Sequence, residues 1–375
     1  MQCSLYVHLP FCRSKCRYCD FYSVTNRAKL IDEYLEAVAR EWELRTGRMS
    51  LELTSVYIGG GTPSLLSPAQ WERFGVLLFD TLPLVEQAEW TVECNPESFT
   101  EEKARLFADM GVTRLTFGVQ SMNERELSLA GRPHTSKETL EVLASPVLGR
   151  FRSIAVDVIY GLPGQTVDSF ADTLQRLLCL PVIRHLSAYE LTLAETSPFG
   201  RHRARLPFPT EDELVAMLEE LASAAGRHGF RQYEVSNFAR PGYECRQNIG
   251  YWNHFPYIGL GAAAHSYLYP CRSWNIADVD EYDVRVGNGH LPMEHCEELT
   301  PEMMGREMLF LGLRQIAGIH EDEFEATTGL SFETQVSRER LQRFVAEGFL
   351  EYIHPCWKPT KKGLFFADFM ARELF

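Results

Sequence analysis

Cys12, Cys16 and Cys19 stand on one short segment, in the pattern Cys-x3-Cys-x2-Cys, with the aromatic Tyr18 just before the last. Three thiolates on one loop can hold three corners of a cubane iron–sulfur cluster, because soft sulfur ligands select such sites. The fourth iron then has no protein ligand in this loop. An open iron can bind and reduce a small molecule, so the spacing points to chemistry as well as electron storage. Zinc is the competing reading. A structural zinc takes four ligands, usually as two pairs of Cys or His, and no second Cys-x2-Cys or His-x3-His pair occurs. His8 could complete a set, but it lies on a predicted strand. Cys3 reads as a small buried hydrophobe.

Gly59, Gly60, Gly61, Thr62 and Pro63 follow a second apolar run. Consecutive glycines after a strand let a ligand approach the backbone at the carboxyl edge of a sheet. The run is neither a Walker loop nor a dinucleotide fingerprint. Read alone it is a tight strand–helix turn; beside the cysteine loop it is a candidate cradle. Glu93, Gln120, Asp157 and Arg132 fall in predicted strands or just after them. Carboxylates can hold an ammonium or ribose hydroxyls, and a guanidinium can clamp a carboxylate.

These residues need a scaffold that brings strand ends together. Leu5–His8, Ser55–Ile58, Trp90–Glu93, Arg114–Gly118, Ala155–Tyr160 and Leu186–Glu190 read as strands, most apolar enough to be buried on both faces. Amphipathic stretches alternate with them. Ile31, Tyr34, Leu35, Val38 and Trp42 recur at helical spacing, and Ser67-Pro68, Thr100 and Thr210 read as helix starts. Six strand–helix units predict a parallel α/β sheet over residues 1–235, either an open layer or a partial barrel. Residues 236–299, rich in Asn, Gly, Tyr, Trp and Pro, are expected to pack on it as an elaboration. Residues 300–375 read as helices followed by a short hairpin, a small winged-helix-like C-terminal domain.

The 375 residues carry a net charge of -14, which argues against a nucleic-acid binder and leaves that last domain as packing material. An acidic surface tolerates a neutral ligand or a basic partner protein more readily than a polyanion. No apolar run is long enough to span a membrane, and the opening Met1–Leu5 has no basic, apolar leader pattern. Ten cysteines are too sparse for a disulfide scaffold, and four fall in the first nineteen residues. A reducing cytoplasm is the expected compartment, where clustered cysteines bind metal more often than they pair.

Together, the segments 6–21, 59–65, 91–96, 114–121, 157–166, 186–192 and 233–245 resemble the radical S-adenosylmethionine (SAM) family of oxygen-independent coproporphyrinogen III oxidase-like proteins, and within it the HemW haem chaperone group. The resemblance implies a partial (β/α)6 radical SAM barrel with a [4Fe-4S] cluster on Cys12, Cys16 and Cys19 and SAM on the open iron. It implies SAM contacts at Tyr6, Gly60, Gly61, Thr62, Glu93, Gln120, Arg132 and Asp157, with Tyr18 beside the cluster.

Three features separate the chaperone group from the dehydrogenases. The dehydrogenases have a further cysteine two positions after the third, where this chain has Phe21. They also carry an N-terminal extension, whereas five residues precede Tyr6 here. The chaperone group has a His-Asn-x-x-Tyr-Trp motif associated with haem, and this chain matches it at Asn248, Tyr251 and Trp252 but has Gln247 at the histidine. An amide is a poor axial ligand for haem iron. His254 or His265 could substitute, and the local aromatics either line a macrocycle slot or anchor the elaboration. The reading is a cytoplasmic haem chaperone with SAM, a haem-acceptor protein and an electron donor as partners. The alternative is a coproporphyrinogen III dehydrogenase that decarboxylates propionates with a 5′-deoxyadenosyl radical.

Overall fold

The computed structural model describes residues 1–47 and 49–374. All six apolar runs become adjacent parallel strands: β1 (Gln2–Leu9), β2 (Glu52–Gly60), β3 (Leu84–Cys94), β4 (Arg114–Gln120), β5 (Ser153–Tyr160) and β6 (Ile183–Glu190). Each strand extends beyond its predicted core, because the ladder bonds continue into flanking residues whatever their side chains. Helices connect them, including α1 (Ile31–Thr46), α2 (Pro68–Leu77), α3 (Glu101–Asp109), α4 (Glu124–Ala130), α5 (Ser136–Leu143), α6 (Val167–Leu178) and α7 (Glu211–Arg227). Ser67, Thr100 and Thr210 each accept a hydrogen bond from the third helical backbone N–H, capping α2, α3 and α7 as expected. On α1 the predicted stripe Ile31, Tyr34, Leu35, Val38 and Trp42 is buried. The main core runs along the six strands and the inner faces of these helices.

β1 and β6 do not pair with each other, so the barrel stays open. The 236–299 segment, expected to pack against it, continues its sheet at both edges instead. β7 (Asn237–Ala239) runs antiparallel to β6, and β8 (Tyr257–Leu260) runs parallel to β1. β9 (His265–Leu268), β10 (Cys271–Asn275) and β11 (Met293–Glu298) then add antiparallel strands outward from β8, with α9 (Val279–Gly287) between the last two. An open barrel leaves two rows of unpaired backbone groups, and these added strands satisfy them. Between the edges, α8 (Arg246–Trp252) lies near the start of β2: its Gln247 is buried and accepts a hydrogen bond from Ser55 Oγ at 2.8 Å. Cys271 and Cys296 depart from the expectation of unpaired cysteines, since β10 and β11 bring their Cα atoms to 6.4 Å and the two are disulfide-bonded.

The C-terminal region has its own core around Leu313, Phe324, Phe344, Leu350 and Trp357. Helices surround a small antiparallel sheet of Ile319–His320, Cys356–Pro359 and Leu350–Ile353, the winged-helix-like pattern. Its first helix, α10 (Pro301–Gly312), follows β11. Backbone bonds from Val235 N to Arg314 O and from Ile316 N to Tyr233 O tie the region to the barrel.

One buried carboxylate holds α1 against the added strands. Glu41 is fully buried; its Oε1 accepts from Arg45 Nε and Asn275 Nδ2, and its Oε2 accepts from Gly261 N and Tyr282 OH, all at 2.7–2.8 Å. Removing the carboxylate leaves four donors to find new partners in the interior. Glu41→Ala is therefore expected to lose about 3–5 kcal/mol of stability, measured by denaturant unfolding of the cluster-free chain.

Candidate functional site

A cavity of 510 Å³ opens at the carboxyl ends of β2–β6, walled by the cysteine loop on one side. Cys12, Cys16 and Cys19 all line it. The loop leaves β1 and is pinned where Phe11–Cys12 pairs with Val24–Thr25. Cys12 Sγ lies 3.6 Å from Thr62 Oγ1, and Cys19 N donates to Cys16 O. Arg132 anchors the middle cysteine: its Nη1 donates to Cys16 Sγ at 3.4 Å, while Nη2 donates to Asn95 Oδ1 at 2.8 Å and Gly118 O at 2.7 Å. Burial pushes the Cys12 thiol up, and the Cys19 thiol up to about 11, so the charge on these sulfurs calls for a cation. Among the described residues no three His, Cys, Asp or Glu are grouped to hold a single ion. The three thiols line one cavity, and they are the soft sulfur donors that a [4Fe-4S] cluster takes.

Beside the cysteine loop, the glycine turn meets Glu93. Glu93 accepts from Tyr57 OH at 2.8 Å through Oε1 and from Gly60 N at 3.1 Å through Oε2. Gly60 has φ +111°, and a Cβ there would come within 2.6 Å of the His8 ring; a Cβ on Gly61 would meet the Phe11 carbonyl oxygen at 2.7 Å. Only glycine lets the chain pass this close to the cysteine loop. Gln120, Asp157, Thr62 and Tyr18 line the same cavity. Gln120 takes a left-handed φ of +66°, the kind of local strain that concentrates at ligand sites.

Asp157 Oδ1 is buried with no hydrogen-bond partner, and burial, with the nearby Glu93 carboxylate adding, pushes its carboxyl up to about 7. Two inward carboxyl groups, one with a free acceptor, suit a ligand bearing sulfonium and ammonium charge. The residues thus fit both groups: the thiols for a cluster, the acidic wall and glycine turn for SAM. When bound, the cluster supplies single electrons to SAM. The chain's own part is to hold the three sulfurs and seat the cationic ligand, with Tyr18 and Tyr57 lining the cavity.

Tyr6 alone of the expected SAM contacts lies outside this cavity. Its ring stacks on Tyr57 at 6.2 Å, and its hydroxyl donates to His8 Nδ1 at 2.9 Å. It faces a second cleft, of 610 Å³, between β1, the β8–β10 strands and α10. Of the expected haem-motif residues only Tyr251 lines that cleft. Asn248 and Trp252 lie on α8 outside it, and Trp252 is engaged through its carbonyl by Gln315 Nε2 at 3.3 Å. Asp20 and Phe21 line both cavities, and Phe21 is 67% exposed.

Sequence reasoning missed Tyr57, Asn95 and Tyr189, which also wall the first cavity. Tyr57 was discoverable from alternation, two residues before Gly59 on one face of β2; Asn95 and Tyr189 gave no signal of their own. Arg272 and Glu307 of the second cleft were silent for the same reason.

Residues 6–177 match the model of the radical SAM superfamily, and residues 299–366 match that of the HemN C-terminal domain. Fold and site define a radical SAM protein, with a [4Fe-4S] cluster and SAM as its cofactors. The chain is 34% identical over 336 residues to the haem chaperone HemW of Bacillus subtilis (strain 168), covering 88% of each protein. It is 32% identical over 378 residues to the haem chaperone HemW of Escherichia coli (strain K12), covering 99% of this chain and 97% of that one. The chain belongs to the HemW group of the radical SAM family. It also superposes with a TM-score of 0.84 on coproporphyrinogen III oxidase (HemN) from Escherichia coli, at 24% identity, covering 98% of this chain and 89% of that one. That likeness establishes the common fold.

Asp157 gives the site a pH signature. Its carboxyl keeps its proton in the fold up to about 7, whereas in the unfolded chain it ionises near the ordinary aspartate value of 3.8. Between those values the folded state binds more protons, so this group's contribution to stability falls as pH rises through the window. Asp157→Asn removes that contribution. In the cluster-free chain the variant is expected to gain on the order of 2 kcal/mol relative to wild type between pH 4 and pH 7, measured by denaturant unfolding at each pH.

Proposed function

We propose that this protein is a haem chaperone: it holds a [4Fe-4S] cluster and SAM in its barrel, binds haem, and passes it to an acceptor protein. The observation that carries the reading is the second cleft. It is separate from the SAM cavity, is walled by aromatic rings and imidazoles, and shares the Asp20–Phe21 edge of the cluster loop. Such a cleft provides for a large flat ligand without placing it in the barrel. The names of the HemW relatives, which span nearly the whole chain, support the same reading. The net charge of -14 suits an acceptor or electron donor with a basic face. Among the described residues no helix is long and apolar enough to cross a membrane.

The dehydrogenase reading is weakened by the charge inside the barrel. Asp20, Glu93, Glu97, Asp157 and Glu190 line the SAM cavity, against Arg13, Lys15 and Arg132. Arg132 is already committed to Cys16, Asn95 and Gly118. A porphyrinogen carrying several propionates would meet more carboxyl groups there than free cations. Phe21 also stands where the dehydrogenases carry a cysteine.

Anaerobic reconstitution separates the two readings. Haem titration is expected to give a saturable Soret shift, and incubation with coproporphyrinogen III, SAM and a reductant is expected to give no divinyl product by mass spectrometry. Decarboxylated product with no haem binding would reverse the assignment.

A further inference from the structure

The second cleft contains three imidazoles, and their environments differ. His8 has both ring nitrogens engaged: Nε2 donates to Tyr22 O at 3.0 Å, and Nδ1 accepts from Tyr6 OH. His265 is exposed and stacks on Trp274 at 5.6 Å. His254 has a side chain only 6% exposed, and its Nε2 is buried with no hydrogen-bond partner. The nearest carboxylate oxygen, Glu307 Oε2, is 3.9 Å away, too far for a hydrogen bond. A buried polar atom without a partner is costly, a cost removed when a ligand completes it.

The backbone carries a second mark. His254 has φ +53° and Ala263, across the cleft, has φ +61°. Left-handed conformations are uncommon for residues with a Cβ, and they persist where surrounding structure imposes them. Here the turn ending α8 imposes the first, with Phe255 N bonded to Gly250 O. The imidazole packs against Tyr267, whose ring lies 5.6 Å away edge to face. Tyr251 and Tyr257 continue the wall, 4.8 Å apart. A volume of 610 Å³ falls within the range of about 300–1,000 Å³ for organic-ligand sites.

We propose that this cleft is the tetrapyrrole seat and that His254 Nε2 is the axial ligand to the metal, an inference that rests on the haem-carrying reading above. Gln247, at the histidine position of the haem motif, is sealed beside Ser55 and lines neither cavity, so it has no part in ligation. Burial lowers the His254 pKa and keeps its lone pair free at neutral pH. Arg272 is already paired with Glu297 and Glu307, so the propionate edge belongs at the open mouth.

The test is haem titration of the reconstituted full chain in wild type, His254→Gly, His265→Ala and Gln247→His. Glycine is chosen at position 254 because it adopts positive φ without strain; circular dichroism and iron content verify that fold and cluster are kept. His254→Gly is expected to weaken haem binding by about tenfold or more and to lose the histidine-ligated Soret position, with added imidazole restoring it. Gln247→His is expected to match wild type in affinity and spectrum, and His265→Ala, which only trims the cleft wall, is expected to keep the histidine-ligated Soret position. Wild-type affinity and spectrum in His254→Gly, or loss without rescue by imidazole, would overturn the ligand assignment alone. Absence of any Soret shift in wild type would overturn the haem-carrying reading and this site with it.

Discussion

Because β1 is hydrogen-bonded in parallel to β2 on one side and to β8 on the other, its backbone cannot slide without breaking two ladders at once. Both cavities depend on that double pairing. The cluster loop leaves the carboxyl end of β1, while Tyr6 and His8 project from the strand itself into the second cleft. With register set at Tyr6 opposite Tyr57 and Gly259, the cysteines face the glycine turn of β2 and the tyrosines face β8–β10. A slip by one residue would turn Tyr6 and His8 to the other face and separate the cysteine loop from Gly61.

Electrostatics then divides the two spaces. The barrel cavity is built from buried charge: Arg132 is held by a sulfur, an amide and a carbonyl, and it lies across the cavity from two carboxyl groups whose ionisation burial disfavours. Such an arrangement leaves room for positive charge to be brought in, by iron at one wall and a cationic cofactor at the other. The second cleft works the opposite way. Its one guanidinium is neutralised by two glutamates, burial disfavours the charged form of His8 and His254, and five tyrosines line its walls. Asp20 and Phe21 belong to both spaces, so a ligand in the cleft touches the loop that carries the cluster.

Local chemistry was readable wherever it is written in neighbouring residues. The cysteine spacing, the glycine run, the helix caps at Ser67, Thr100 and Thr210, and the stripe on α1 all depend on residues within a few positions of one another, and each appears in the structure as expected. Glu93, Gln120 and Asp157 were legible because strands in a parallel sheet all present their carboxyl ends to the same side. The motif at 247–252 shows the limit of this kind of reading. Its spacing places Gln247 and Tyr251 one helical turn apart, yet Gln247 is buried beside β2 and Tyr251 walls a cleft.

The sequence alone determined the three-thiol loop, the six parallel strands and the class of chemistry they serve, since each follows from periodicity or spacing along the chain. Only the tertiary structure decided that residues 236–299 complete the edges of an open sheet, that Tyr6 lines the second cleft and not the SAM cavity, and that His254 keeps a buried nitrogen without a partner. Those outcomes depend on which distant backbones pair and what remains unpaired between them, and no local pattern of side chains encodes that.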